Sequence, residues 1–185
     1  MSREFTYIDH DRAIWEKELE EFVPSVVYDM HVHMWSDEHR GTAPEQGLML
    51  PMTYQDHVDW AAKLYPGREV HFLVLATPIV GMDAEGHNNY MAAQMAADPD
   101  SVVNMMVTPD MTAEYIAEQV KKHNFFGLKC YRTFAPDKDD ARIKDFLPEH
   151  QIELAHDMGL AITMHLSKRT GAADPDNQKD LERYT

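Results

Sequence analysis

The sequence predicts an α/β fold, the N-terminal portion of a TIM-type (β/α)8 barrel with about five strands. Strand-like and helix-like stretches alternate five times after an opening helix, which implies parallel strands joined by right-handed crossovers. No glycine-rich phosphate loop follows the first strand, which weakens the case for an open nucleotide-binding sheet. The strands end instead in polar residues: His31 and His33, Thr77, Thr108, Lys129 to Arg132, and His165. In such barrels the active site lies at the C-terminal ends of the strands. Eight strands usually need about 250 residues. The 185 present here are expected to be part of a larger barrel.

The elements follow in order. Phe5 to Phe22 reads as an amphipathic helix, capped by Asp9 or Asp11, with Ile14, Trp15, Leu19 and Phe22 at helical spacing and Pro24 as its stop. Residues 1–25 are thus expected to pack on a barrel formed by residues 26–185. Val26 to Met34 is the first strand, rich in β-branched and apolar residues. Trp35 to Met52 has no period and holds Gly41, Pro44, Gly47 and Pro51. A long loop there sits over whatever the preceding histidines bind. Trp35, His39 and Arg40 are its candidate substrate contacts, with ordinary loop residues as the alternative.

Thr53, with Asp56 three residues on, caps a helix to Leu64. Glu69 to Ile79 is a nearly continuous apolar strand, as expected where both faces are buried. A helix over Glu85 to Ala97, a strand over Ser101 to Thr108 and a helix over Thr112 to His123 follow. Gly127 to Thr133 is the fourth strand. Pro148 to Met158 is a helix ended by Gly159, Leu160 to Leu166 the fifth strand, and Asn177 opens a last helix.

Alternation along the first strand puts Val27, Asp29, His31 and His33 on one face. Two imidazoles two residues apart at a strand end reach one point in space, and neutral imidazole is the commonest metal-binding side chain. In the fifth strand Ala161, Thr163 and His165 share a face. In a closed barrel His165 stands across the lumen as a candidate third ligand, which would leave a position open for water or substrate; a satisfied core histidine is the alternative. Asp29, deeper on the same face, is a candidate to support a bound imidazole, or else a buried carboxylate paired with Lys129. Lys129 inside a barrel must be paired, depressed in pKa or modified. Substrate or structural contact is favoured over a carbamate bridging two metals or an outward-reaching side chain. Arg132 is a candidate anion contact, and Cys130 a packed strand residue.

Composition narrows the partners. A net charge of −15 argues against a nucleic-acid backbone and an anionic membrane surface. A small anionic substrate stays open, because a metal ion reverses the local potential of a cleft. No membrane span or signal peptide is evident. The single Cys130 rules out an internal disulfide and fits a reducing compartment. A cytoplasmic protein acting on a small molecule is expected, with homo-oligomerisation open. The 13 methionines and most of the 11 histidines read as core filler and surface residues.

The stretches Tyr28 to His33 (Tyr-Asp-Met-His-Val-His), Gly127 to Lys129 (Gly-Leu-Lys) and Ile162 to Leu166 (Ile-Thr-Met-His-Leu) resemble the amidohydrolase superfamily. The nearer likeness is to its amidohydrolase-related group, which includes aminocarboxymuconate-semialdehyde decarboxylase-like proteins. The likeness implies one divalent metal ion, commonly zinc with manganese or iron as alternatives, held by His31, His33 and His165. It also implies a sixth-strand histidine and an eighth-strand aspartate. Neither has a counterpart here, so the acid–base residues are expected beyond Thr185. The activity implied is metal-assisted hydrolysis of a small amide, ester or lactone. Rivals are a non-oxidative decarboxylase of a small carboxylic acid on the same scaffold, a PHP-type phosphoesterase, which also opens with Asp-x-His-x-His, and a non-catalytic domain.

Overall fold

Every strand pairs with the next in the chain, always parallel. In the computed structural model, which describes residues 6–42, 51–166 and 170–184, β1 (Val26–Met34), β2 (Glu69–Ala76), β3 (Val102–Val107), β4 (Gly127–Cys130) and β5 (Ala161–Thr163) form one sheet in the order β1-β2-β3-β4-β5. A doubly wound sheet reverses its strand order at a switch point. This one does not, and it curls into a half-barrel. α2 (Tyr54–Leu64), α3 (Ala84–Met95), α4 (Ala113–His123) and α6 (Glu149–Met158) supply the crossovers. Between sheet and helices lies one core, which includes Met34, Val74, Met105, Ile116, Leu128 and Phe146.

Local chemistry sets the boundaries. The Thr53 hydroxyl accepts from the Asp56 N–H at 3.2 Å, and the Asp56 carboxylate accepts from the Thr53 N–H at 2.8 Å. This reciprocal box starts α2. Gly159 closes α6 at φ +67°, a left-handed conformation that is cheap only without a Cβ. Past Val103 no register pairing joins β2 to β3. Asn88 of α3 serves that backbone instead, its amide donating to the Met106 carbonyl and accepting the Met106 N–H, both at 2.9 Å.

The opening helix differs from the expectation. α1 spans only Asp9–Ile14, and a π-helical stretch continues it over Trp15–Leu19. Asp11 accepts the Ile8 N–H at 2.9 Å. The wider turn departs from the 3.6-residue period. Trp15 is buried against Tyr65 and under the Arg68 guanidinium, while Phe22 swings out to 83% exposure.

Strand alternation also breaks. The register steps from Asp29 opposite Phe72 to Val32 opposite Val74, so β1 carries one extra residue, a bulge. Shorter elements escape the periodicity altogether: turns at Asp37–His39, Arg132–Phe134 and Gly171–Ala173, and α5 (Ile143–Phe146). α7 (Pro175–Tyr184) is tied back to α5 by Asp180, which accepts from the Arg142 guanidinium at 2.9 and 2.5 Å and from the Ile143 N–H at 3.1 Å.

At the N-terminal end of the sheet, His71 Nδ1 meets both Asp98 oxygens at 3.0 and 3.2 Å, and His71 Nε2 stands 3.3 Å from Glu69. The Asp98 hydrogen bond raises the His71 pKa against the opposing effect of burial. Burial opposes ionisation of Asp98, but hydrogen bonds from Ser101, His71 and the Asp100 N–H outweigh it and hold the carboxyl low. The His71 contribution is complete below its unfolded value of 6.5 and fades as pH rises through the higher folded value. The Asp98 contribution is present above 3.8 and fades as pH falls through the lower folded value. Urea denaturation across pH is therefore expected to show a loss of stability above pH ~6.5 that His71→Gln lacks. An identical pH dependence in the variant would remove this pair from the account.

Candidate metal centre

β1 delivers His31 and His33 to the C-terminal end of the sheet. Their Nε2 atoms lie 3.3 Å apart. Two nitrogens each about 2.05 Å from a tetrahedral ion stand about 3.3 Å apart. His33 is fixed from behind, its Nδ1 lying 2.9 Å from the Ala76 carbonyl at the end of β2. A carbonyl only accepts, so Nδ1 carries the proton and Nε2 keeps its lone pair. Burial lowers the His33 pKa, aided by the charges of His31, Lys129 and His165 and opposed by the Ala76 bond. A neutral imidazole with its second nitrogen tied to a carbonyl is the form in which histidine binds metal.

The backbone beneath these rings is held by two further histidines that strand periodicity does not reveal. His57 Nε2 donates to the His33 carbonyl at 3.1 Å. His87 Nε2 donates to the Met34 carbonyl, also at 3.1 Å. Burial lowers the His87 pKa to about 4, so it serves as a neutral strut.

His165 stands two residues beyond β5. Its ring packs on Tyr131 with centroids 5.3 Å apart. Burial lowers its pKa, followed by the charges of Lys129, Arg132 and His31. Lys129 and His31 thus act on both arms of the site. The three imidazoles are nevertheless not gathered within 4.8 Å of one another. Among the described residues that span is met by His71, Asp98 and Asp100. These lie at the other end of β2, roughly 16 Å from Ala76 at about 3.3 Å per residue. Both His71 nitrogens face carboxylates there, the arrangement of a protonated imidazole in an ion pair.

Lys129 is 1% exposed. Burial lowers its pKa, and its ammonium lies 4.8 Å over the Tyr131 ring. Among the described residues no carboxylate pairs with it. Arg132, in the turn after β4, has a buried Nη1 with no hydrogen-bond partner. Among the described residues neither cation has a salt-bridge partner, and the charges of both act on His165.

The loop and strand-end residues have defined partners. Trp35 is 3% exposed; its indole N–H donates to Asp37 at 3.0 Å and its ring packs on His87. The loop's large apolar ring is spent on packing. The Asp29 Oδ1 accepts the His31 backbone N–H at 3.2 Å, beside the bulge; among the described residues it makes no hydrogen bond to an imidazole of the site. His39 and Arg40 face Asp83 and Asp37. Trp35 and Met52 pair as an antiparallel bridge at the base of the loop, and residues 43–50 lie outside the described residues. Cys130 is buried, which pushes its thiol up to about 11, in keeping with packing. A cleft of about 540 Å³ opens at the same end of the sheet, lined by Met82, Glu85, Thr108, Asp110, Tyr115 and Phe134, none of them a predicted site residue.

A parallel half-barrel with paired histidines at the end of its first strand is the architecture of a metal-dependent barrel enzyme. The amidohydrolase family model matches residues 28–183, and the chain belongs to the amidohydrolase family. No curated protein matches the chain. A crystal structure of a probable 2-pyrone-4,6-dicarboxylic acid hydrolase from Acinetobacter baumannii, with citric acid bound, is similar at 16% identity and a TM-score of 0.45. The match covers 84% of this chain and 65% of that one, so the present chain spans just under two thirds of that protein's length. No helix among the described residues is long and apolar enough to cross a membrane.

Proposed function

We propose that the protein acts as a metal-dependent hydrolase on a small amide, ester or lactone, with His31, His33 and His165 holding one divalent ion, zinc in the first instance. The observation that carries this is the His31–His33 pair, 3.3 Å apart with His33 locked in its ligand tautomer by Ala76. The donor set fits the ion: neutral imidazoles suit zinc, and manganese and iron less tightly. When bound, such an ion supplies Lewis acidity, polarising a carbonyl and lowering the pKa of water. The chain's own residues bind and orient. Lys129 and Arg132, which have no acidic partner among the described residues, hold an anionic group of the substrate. His57 and His87 keep the end of β1 rigid, so that the histidine pair is preorganised.

A decarboxylase on the same scaffold is the second reading, and the two cations favour it because they would hold the departing carboxylate. An assay of the zinc-loaded protein with a panel of small lactones, esters and amides, run beside aromatic and enoic carboxylic acids, separates the two. Hydrolysis products without carbon dioxide are expected. Carbon dioxide release without hydrolysis would replace the hydrolase reading by the decarboxylase.

A further inference from the structure

Granted the metal ligands proposed above, we propose that Tyr131 is a positioning residue that keeps the two arms of the centre in register. Tyr131 follows β4, yet its hydroxyl donates to the Ala76 carbonyl at the end of β2, spanning the position of β3. That carbonyl also accepts from His33 Nδ1 at 2.9 Å. One oxygen therefore carries both hydrogen bonds, and the phenol fixes the acceptor that sets the tautomer and tilt of His33. The ring of the same side chain meets the second arm. His165 packs on it at 5.3 Å between centroids, and the Lys129 ammonium lies 4.8 Å over its centre. Tyr131 is 1% exposed, and Phe134 braces it edge-on at 6.3 Å. Its placement is thus determined by packing. Its side chain touches both His165 and the carbonyl that orients His33.

The test is metal binding by the full chain, with Zn2+ measured against a chromophoric chelator and Co2+ by its visible spectrum. Tyr131→Phe removes one buried oxygen and keeps the ring. Zn2+ affinity is expected to fall about tenfold, the lower end of what loss of such a supporting bond costs, with a shifted Co2+ spectrum. Tyr131→Leu removes the ring as well and is expected to cost more. Phe134→Leu, which disturbs only the brace, should leave the affinity near wild type, and the metal-free thermal midpoints of all three report the packing loss separately. Wild-type affinity and spectrum in Tyr131→Phe, with metal lost in His33→Ala, would overturn the role of Tyr131 and leave the ligands standing. An equal loss in Phe134→Leu would reduce Tyr131 to packing and also overturn it. Metal retained in His33→Ala would overturn both.

Discussion

Replacing His33 by alanine is expected to weaken Zn2+ binding at least about 100-fold, roughly 2.7 kcal/mol at 1.36 kcal/mol per tenfold change. The variant loses one nitrogen of the 3.3 Å pair and leaves His31, an exposed side chain on β1, with His165 as its remaining proposed co-ligand. The variant also frees the Ala76 carbonyl of one of its two donors, a smaller cost because Tyr131 still satisfies it. Chelator competition reads the affinity directly. His31→Ala is expected to match it in direction, since either nitrogen alone lacks the bite of the pair. Full occupancy in His33→Ala would remove the histidine pair from the centre.

Gly127→Ala is expected to be the most damaging single methyl in the described sheet. A Cβ there would lie 2.2 Å from the Ala161 carbonyl oxygen and 2.7 Å from Asn104 Oδ1. Neither neighbour yields cheaply: one is backbone of the paired strand β5, and the Asn104 amide is fully buried and bonded to the Thr163 hydroxyl at 2.8 Å. The sheet must open between β4 and β5, at about 3 kcal/mol or more. For a domain of this size that corresponds to a fall in thermal midpoint of about 6–12 °C. A loss under about 1 kcal/mol would show that β4 and β5 separate easily. Because Lys129 lies on β4 and His165 follows two residues after β5, the variant should also weaken metal binding.

The physics that made parts of the fold legible is local. Thr53 and Asp56 announce a helix start because both partners of the capping box lie within four residues. Gly159 marks a helix end for a similar reason. His31 and His33 are legible because two residues is the strand period. What stayed hidden depends on distance along the chain. The bulge after Asp29 shows only in how β1 pairs with β2, and beside it Asp29 accepts a backbone N–H of its own strand. The π-helical turn that releases Phe22 is likewise invisible to a 3.6-residue period. Trp35 sits in a stretch rich in loop formers, so nothing nearby says that its ring is buried on His87. Tyr131 meets Ala76 across 55 residues, through a main-chain carbonyl that has no sequence signature. Strand alternation pointed to His165, but only the fold shows its ring packed at a tilt on Tyr131.

The most direct measurement is anomalous diffraction at the zinc edge from crystals of the chain grown with Zn2+. One strong peak is expected within about 2.1 Å of both His31 Nε2 and His33 Nε2, with His165 turned toward it. A peak confined to His71, Asp98 and Asp100 at the opposite end of β2, with none between His31 and His33, would contradict the proposed metal centre.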